Sequence, residues 1–208
     1  MRLTIGAEEY LIASEKQYDE SSKKSIDSFS GQKIWECSHD LCLMLQRVPL
    51  APSTRVLELG CGHGLPGLIC LSKGCQVHFQ DYSHETIENV TRQTILLNQP
   101  SKLESCSFSS GEWSNFESDS LFDVILCCEG IYSTENFPAL KRIIMKFLKP
   151  GNSSAYFAGK KYYFGCGGGT MSFGEFVAPE FHCEAVEKIQ DGKSNIREII
   201  KVTRCPAD

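Results

Sequence analysis

An α/β fold follows from three features of this 208-residue chain. Strand-like and helix-like segments alternate from Arg55 to Ala158, the run Phe122–Cys128 (FDVILCC) is apolar throughout, and Asp191-Gly192 joins two strand-like segments near the C-terminus. Such alternation implies a parallel sheet with helices on both sides. An unbroken apolar strand implies cover on both faces, and Asp-Gly between strands is a hairpin signal. The architecture expected is a Rossmann-like, seven-stranded, mostly parallel sheet with helices on both faces and an antiparallel C-terminal hairpin.

Each element has its own reason. Residues 1 to about 30 are polar and weakly periodic, and EKQYDESSKKSIDSFSG reads as loop or frayed helix, so the domain proper is placed at 31–208. Ile34, Cys37, Leu41, Met44 and Leu45 make a helical stripe, ended by Pro49 and Pro52. Arg55–Leu59 is a short apolar strand, followed by a helix over Leu65–Ser72. Gln76–Gln80 is a strand with VHF at its centre, His84–Asn98 a helix, and Ser105–Ser109 a strand. After Phe122–Cys128 comes a helix over Glu135–Leu148, stopped by Pro150-Gly151, and then the strand Ser154–Ala158. Phe181–Ile189 and Ile196–Thr203 form the edge hairpin.

Composition narrows the function. Charged residues are 23% and the net charge is -5, with lysine pairs only at Lys23-Lys24 and Lys160-Lys161. A nucleic-acid groove needs a basic stripe, so direct nucleic-acid binding is not expected. The start MRLTIGAEEYLIAS is a poor leader because Glu8-Glu9 cuts its apolar run, and no stretch approaches the ~18 apolar residues of a membrane span. Eleven cysteines, an odd number with no C-x-x-C pair, read as reduced thiols in a cytosolic or nuclear protein rather than as a zinc site or disulfide framework. His39, His78 and His84 have no partner at metal-ligand spacing and read as structural. No metal is expected.

Two glycine clusters compete for a ligand. LELGCGHGLPG (Leu57–Gly67) follows a strand and opens a helix, the place where open α/β sheets hold ligands. Its pattern is E-x-G-x-G-x-G on Glu58, Gly60, Gly62 and Gly64, the form usual for S-adenosylmethionine (SAM); the dinucleotide fingerprint fails at Leu65. His63 inside that loop projects into solvent or serves as a base, the first being the expectation. Asp81, at the end of the next strand, is placed to accept from both ribose hydroxyls or to serve as a turn or helix-cap aspartate. Trp113, after the third strand, stacks on adenine or plugs the core. The second cluster, YYFGCGGG (Tyr162–Gly169), either lies across the cleft mouth or connects flexibly to the next helix.

The combination KIWEC (Lys33–Cys37), LELGCGHGLPG, HFQDY (His78–Tyr82), SGEW (Ser110–Trp113), EGIY (Glu129–Tyr132) and YYFGCGGG resembles the protein-histidine N-methyltransferases of the methyltransferase-like protein eighteen type, from about Gly31 to the C-terminus. The resemblance implies SAM against Ile34, Trp35, Glu36, Cys37, Ser38, Gly60, Gln80, Asp81, Tyr82, Gly111, Glu112, Trp113 and Cys128. It implies transfer to a protein histidine, with a large-subunit ribosomal protein as the acceptor of known relatives, and residence in cytoplasm and nucleus. This chain departs from those relatives in two ways. Only about thirty residues precede the match, and Cys128-Glu129-Gly130 stands where relatives read roughly Ser-Glu-Thr.

Methyl transfer from a sulfonium is an in-line displacement that needs alignment and exclusion of water. Trp35 either walls the sulfonium or anchors its helix in the core. Glu129 is the candidate acceptor for the far nitrogen of a substrate imidazole, with Tyr132 as a second candidate; the plainer reading of Glu129 is a helix-start carboxylate. Cys127 and Cys128 point to opposite faces. A protein-lysine methyltransferase of the same fold and an inactive SAM-binding partner protein are the alternatives.

Overall fold

A computed structural model of the chain describes residues 1–13, 33–178, 180–190, 192 and 195–205. The predicted polar stretch 15–31, Lys23-Lys24 and Asp191 of the hairpin turn lie outside the described residues. The main sheet has seven strands in the order β5-β4-β3-β6-β7-β9-β8. Its members are β3 (Arg55–Leu59), β4 (Gln76–Asp81), β5 (Cys106–Ser110), β6 (Val124–Cys128), β7 (Ser154–Lys160), β8 (Phe181–Ile189) and β9 (Arg197–Arg204). Neighbours are parallel from β5 through β7, whereas β9 runs antiparallel to both β7 and β8. Strand order reverses between β3 and β6, which opens a crevice at their carboxyl ends.

The central strands β3 and β6 split their side chains between two cores. Val56, Val124 and Leu126 join Leu41, Leu45 and Leu68 on the face covered by α1 (Glu36–Arg47) and α2 (Leu65–Ser72). Leu57, Leu59, Ile125 and Cys127 join Phe137, Ile144, Phe147 and Phe173 on the face covered by α5 (Phe137–Phe147) and α6 (Thr170–Val177). This is the period-two alternation of a strand buried on both sides. It also separates the two adjacent thiols: Cys127 packs in the α5 core, and Cys128 packs on the α1 side. A buried ion pair, Arg197 Nε to Asp40 Oδ2 at 2.6 Å, ties α1 to β9.

Three differences from expectation have physical causes. Residues 1–13 belong to the lead segment expected to be polar loop or frayed helix, yet β1 (Arg2–Ile5) and β2 (Glu8–Leu11) form an antiparallel hairpin turning at Gly6, whose φ is +63°. The hairpin buries Ile5 and Tyr10 in the α1-side core, and the Asn98 amide bonds both backbone groups of Leu11, at 2.8 and 2.6 Å. The helix expected over His84–Asn98 is interrupted: α3 (His84–Thr86) and α4 (Arg92–Asn98) flank a π-helical turn at Ile87–Thr91. Thr91 there gives its hydroxyl to Gly62 O at 2.6 Å. Finally, β6 starts at Val124 rather than at Phe122, because Phe122 makes an isolated bridge to Leu148 and the Asp123 carboxylate accepts from Arg55 N–H.

Candidate active site

The site is built where β3, β4, β5 and β6 end. After β3 the chain turns through Gly60, Gly62 and Gly64 with φ of +61°, +51° and +69°, a region that L-residues seldom adopt. From behind, Glu58 braces this loop: it is 3% exposed and accepts from Gly67 N–H at 2.8 Å. Burial pushes its carboxyl up to about 8, against the pull of the Gly67 bond. A Cβ on Gly67 would stand 2.5 Å from that carboxylate and 2.4 Å from Phe79, so the contact requires glycine. Thus Glu58 supports the crevice wall and does not line its surface.

Asp81 closes the second side. Its Oδ2 accepts from Gly62 N–H at 2.9 Å and its Oδ1 from Ser83 N–H at 3.1 Å. It is a turn aspartate in that second bond, while Ser83 caps α3. With Tyr82 N–H as a third backbone donor, about one of its roughly four acceptor positions stays available to a ligand hydroxyl. Burial raises its pKa above the ordinary value, opposed by these backbone donors.

Gln80 is the knot beneath the crevice. Its amide donates to Gly111 O at 2.7 Å, and its carbonyl accepts from Trp113 Nε1 at 2.7 Å and Gly60 N–H at 3.4 Å. The Trp113 ring is wedged between two glycines: a Cβ on Gly60 would meet it at 3.2 Å and one on Gly130 at 3.0 Å. The Cβ direction of Gly111 is open, with nothing within 4 Å. Glu112 is exposed and accepts from Ser114 Oγ, and Tyr82 is 62% exposed.

The floor is α1 and the end of β6. Cys37 lies buried beside Glu129, and Cys128 Sγ reaches Cys37 O at 3.8 Å. Burial and the Glu129 charge push the Cys37 thiol far up. Ile34 packs on the α1-side core, Ser38 N–H bonds Trp35 O, and Glu36 points 3.8 Å from Arg197. Trp35 is 39% exposed with Lys33 Nζ over its ring at 4.3 Å, so it is not a core anchor.

Glu129 has φ +55°, held there by its N–H bond to Ala158 O at 2.8 Å. A non-glycine residue in that conformation is strained, and such strain clusters at working sites. Gly130 tolerates no side chain, because Cys127 Sγ would lie 2.3 Å from its Cβ. The absence of a threonine there is therefore matched to the packing of Cys127 and Trp113. Tyr132 is 44% exposed, and its carbonyl accepts from Gly168 N–H.

The second glycine cluster folds onto this segment. Gly168 N–H and Gly169 N–H bond the carbonyls of Tyr132 and Ile131 at 3.2 and 2.9 Å, and Ser133 bridges Gly167. The loop thereby delivers Tyr163, whose phenol donates to Glu129 Oε2. Sequence reasoning missed Tyr163, although it sits inside a motif already singled out. It also missed Thr91. His63, expected in solvent, is 8% exposed, because the two left-handed glycines beside it turn the loop inward.

A surface cavity of about 600 Å³ lies elsewhere, between α6 and β8–β9, apart from the strand-end hydrogen-bond network. Among the described residues, no group of His, Cys, Asp or Glu is placed to hold a metal ion, and no helix is long and apolar enough to cross a membrane. A buried carboxylate, left-handed glycines and an indole at adjoining strand ends suit a nucleoside-bearing ligand.

A family model described as lysine methyltransferase matches residues 15–163, most of the chain. This chain belongs to that lysine methyltransferase family. The chain is also 38% identical over 180 residues to the histidine protein methyltransferase 1 homolog of Dictyostelium discoideum, covering 83% of this chain and 57% of that protein. Its identity to the Bos taurus protein of the same name is 34% over 196 residues, covering 78% and 52%. The chain thus spans about half the length of the curated relatives it matches. In fold, this chain is similar to the N-methyltransferase NodS from Bradyrhizobium japonicum in its S-adenosyl-L-homocysteine complex, with TM-score 0.64, 18% identity, 88% of this chain and 94% of that one.

Proposed function

We propose that this chain transfers a methyl group from SAM to a histidine side chain of a protein. The observation that carries the reading is Glu129, a half-buried carboxylate fixed by a phenol at the end of β6, next to the glycine crevice. Gly60, Gly62, Asp81 and Gly111–Trp113 would hold the adenosyl part, with Asp81 toward the ribose. When bound, SAM supplies an electrophilic methyl on a sulfonium. Relatives named histidine protein methyltransferase support the acceptor.

The carboxylate discriminates between acceptors. A neutral imidazole already offers a lone pair near neutral pH, since its unperturbed pKa is about 6.5. Its other nitrogen carries a proton that Glu129 can accept as a hydrogen bond. Lysine must first lose a proton held with a pKa of about 10.4, and a carboxylate beside it would hold that proton harder. The family description nevertheless makes lysine the second reading. The protein partner includes a ribosomal protein of the large subunit among its candidates. Eleven free thiols suit residence in reducing cytoplasm and nucleus.

The test is incubation of the chain with methyl-labelled SAM and cell lysate, followed by hydrolysis and separation of amino acids. Label in methylhistidine is expected. Methyllysine would install the second reading, and absence of label would make the chain an inactive SAM-binding partner.

A further inference from the structure

We propose that Tyr163 is a positioning residue for the transfer: it aims the Glu129 carboxylate so that one imidazole tautomer of the substrate, and hence one ring nitrogen, is selected. The inference rests on the histidine reading above and adds what decides which nitrogen is methylated. The phenol is held from both sides. Its oxygen accepts from Lys160 N–H at 3.1 Å, which directs its own proton to Glu129 Oε2. Burial, and then the Glu129 charge, push the Tyr163 phenol far above its usual range, so it stays a donor.

Glu129 cannot relax by rotating its backbone, because its N–H is spent on Ala158 O and its φ is +55°. Nor can Tyr163 drift. Its N–H bonds Gly168 O at 3.0 Å, its carbonyl accepts from Cys166 and Gly167, and the glycine loop is clasped to Ile131 and Tyr132. The clasp leaves no space for side chains: a Cβ on Gly168 would stand 2.3 Å from Ile131 O, and one on Gly169 2.2 Å from Lys161 O. Tyr163 and the Cys37 thiol occupy two acceptor positions of the carboxylate, leaving others for an imidazole N–H.

With the N–H of one ring nitrogen on Glu129, the lone pair of the other forms the new N–C bond. The C–S bonding pair leaves on sulfur as a neutral thioether, and the N–H proton of the methylimidazolium passes through the carboxylate to water. A carboxylate free to swing would accept from either nitrogen and yield both isomers.

The measurement uses the full chain, saturating methyl-labelled SAM and cell lysate, with the two methylhistidine isomers resolved after hydrolysis. Wild type should give one isomer. Tyr163→Phe keeps the ring and should bind SAM within about twofold of wild type, while transferring about tenfold more slowly, the effect of one lost charge-assisted bond, and producing the second isomer as well. Glu129→Gln should mix isomers too, and the double variant should be no slower than Glu129→Gln alone. If Tyr163→Phe loses SAM binding, Glu129→Gln carries the isomer test by itself. A single unchanged isomer from both variants overturns the inference while leaving the histidine reading intact. Absence of methylhistidine from wild type overturns that reading itself.

Discussion

Glu58 faces the α2 side of the sheet, and its protonation is coupled to folding. Its carboxyl is raised from 4.5 to about 8 by burial, so the folded chain keeps a proton that the unfolded chain has released. Stability from this group is full below about pH 4.5 and is lost as pH rises to about 8. His78 acts oppositely and lower: burial drops it from 6.5 to about 4, so its effect ends near pH 6.5. Urea unfolding at pH 6.5 and pH 8 should therefore show wild type losing stability across that interval and Glu58→Gln losing much less; equal losses would refute the raised carboxyl. At this scale, legibility followed residue type. Asp81, Gln80 and Trp113 were nameable because their motif sits at strand ends. That Gln80 and Glu58 are braces was not, since only packing separates a wall from its support. His63 defeated expectation because inward or outward direction depends on loop dihedrals, which a sequence does not print.

Elements with a strong period were legible almost to the residue. Arg55–Leu59, Leu65–Ser72 and Phe181–Ile189 have the bounds that their apolar patterns predict. The hairpin at β1–β2 was not legible, because each strand is only four residues long and mostly exposed, with a single buried residue. The π-turn is set by a tertiary bond, Thr91 to Gly62, and so leaves no periodic trace. The glycine loop answers to sterics. Gly168→Ala would force the loop off backbone atoms of Ile131 and Tyr132 that cannot swing aside. The loop carries Tyr163, not the crevice wall. Methyl transfer should therefore fall by up to about a hundredfold, as for other misplacements near 1 Å, while SAM affinity measured by calorimetry changes little. Unchanged transfer would show that the clasp is not needed.

Across the whole molecule, the sheet order matters more than any one residue. Because strand order reverses between β3 and β6, the loops after them diverge and leave room. The parallel register then brings Gly60, Asp81, Gly111 and Glu129 to one end of the sheet. Two cores hold those strands from opposite faces, and the Arg197–Asp40 pair fixes α1 under the crevice. The sheet and crevice were foreseeable from the βα alternation. The approach of Tyr163 was not, because it depends on a contact between loops about thirty residues apart. On the proposed reading, these strand ends grip SAM through backbone glycines and the Asp81 carboxylate together. Calorimetric titration of SAM into wild type and Asp81→Ala tests it most directly. One site is expected in wild type, with affinity at least about tenfold weaker in the variant, which lacks the charge-assisted bonds; no binding to wild type, or equal affinities, would rule this grip out.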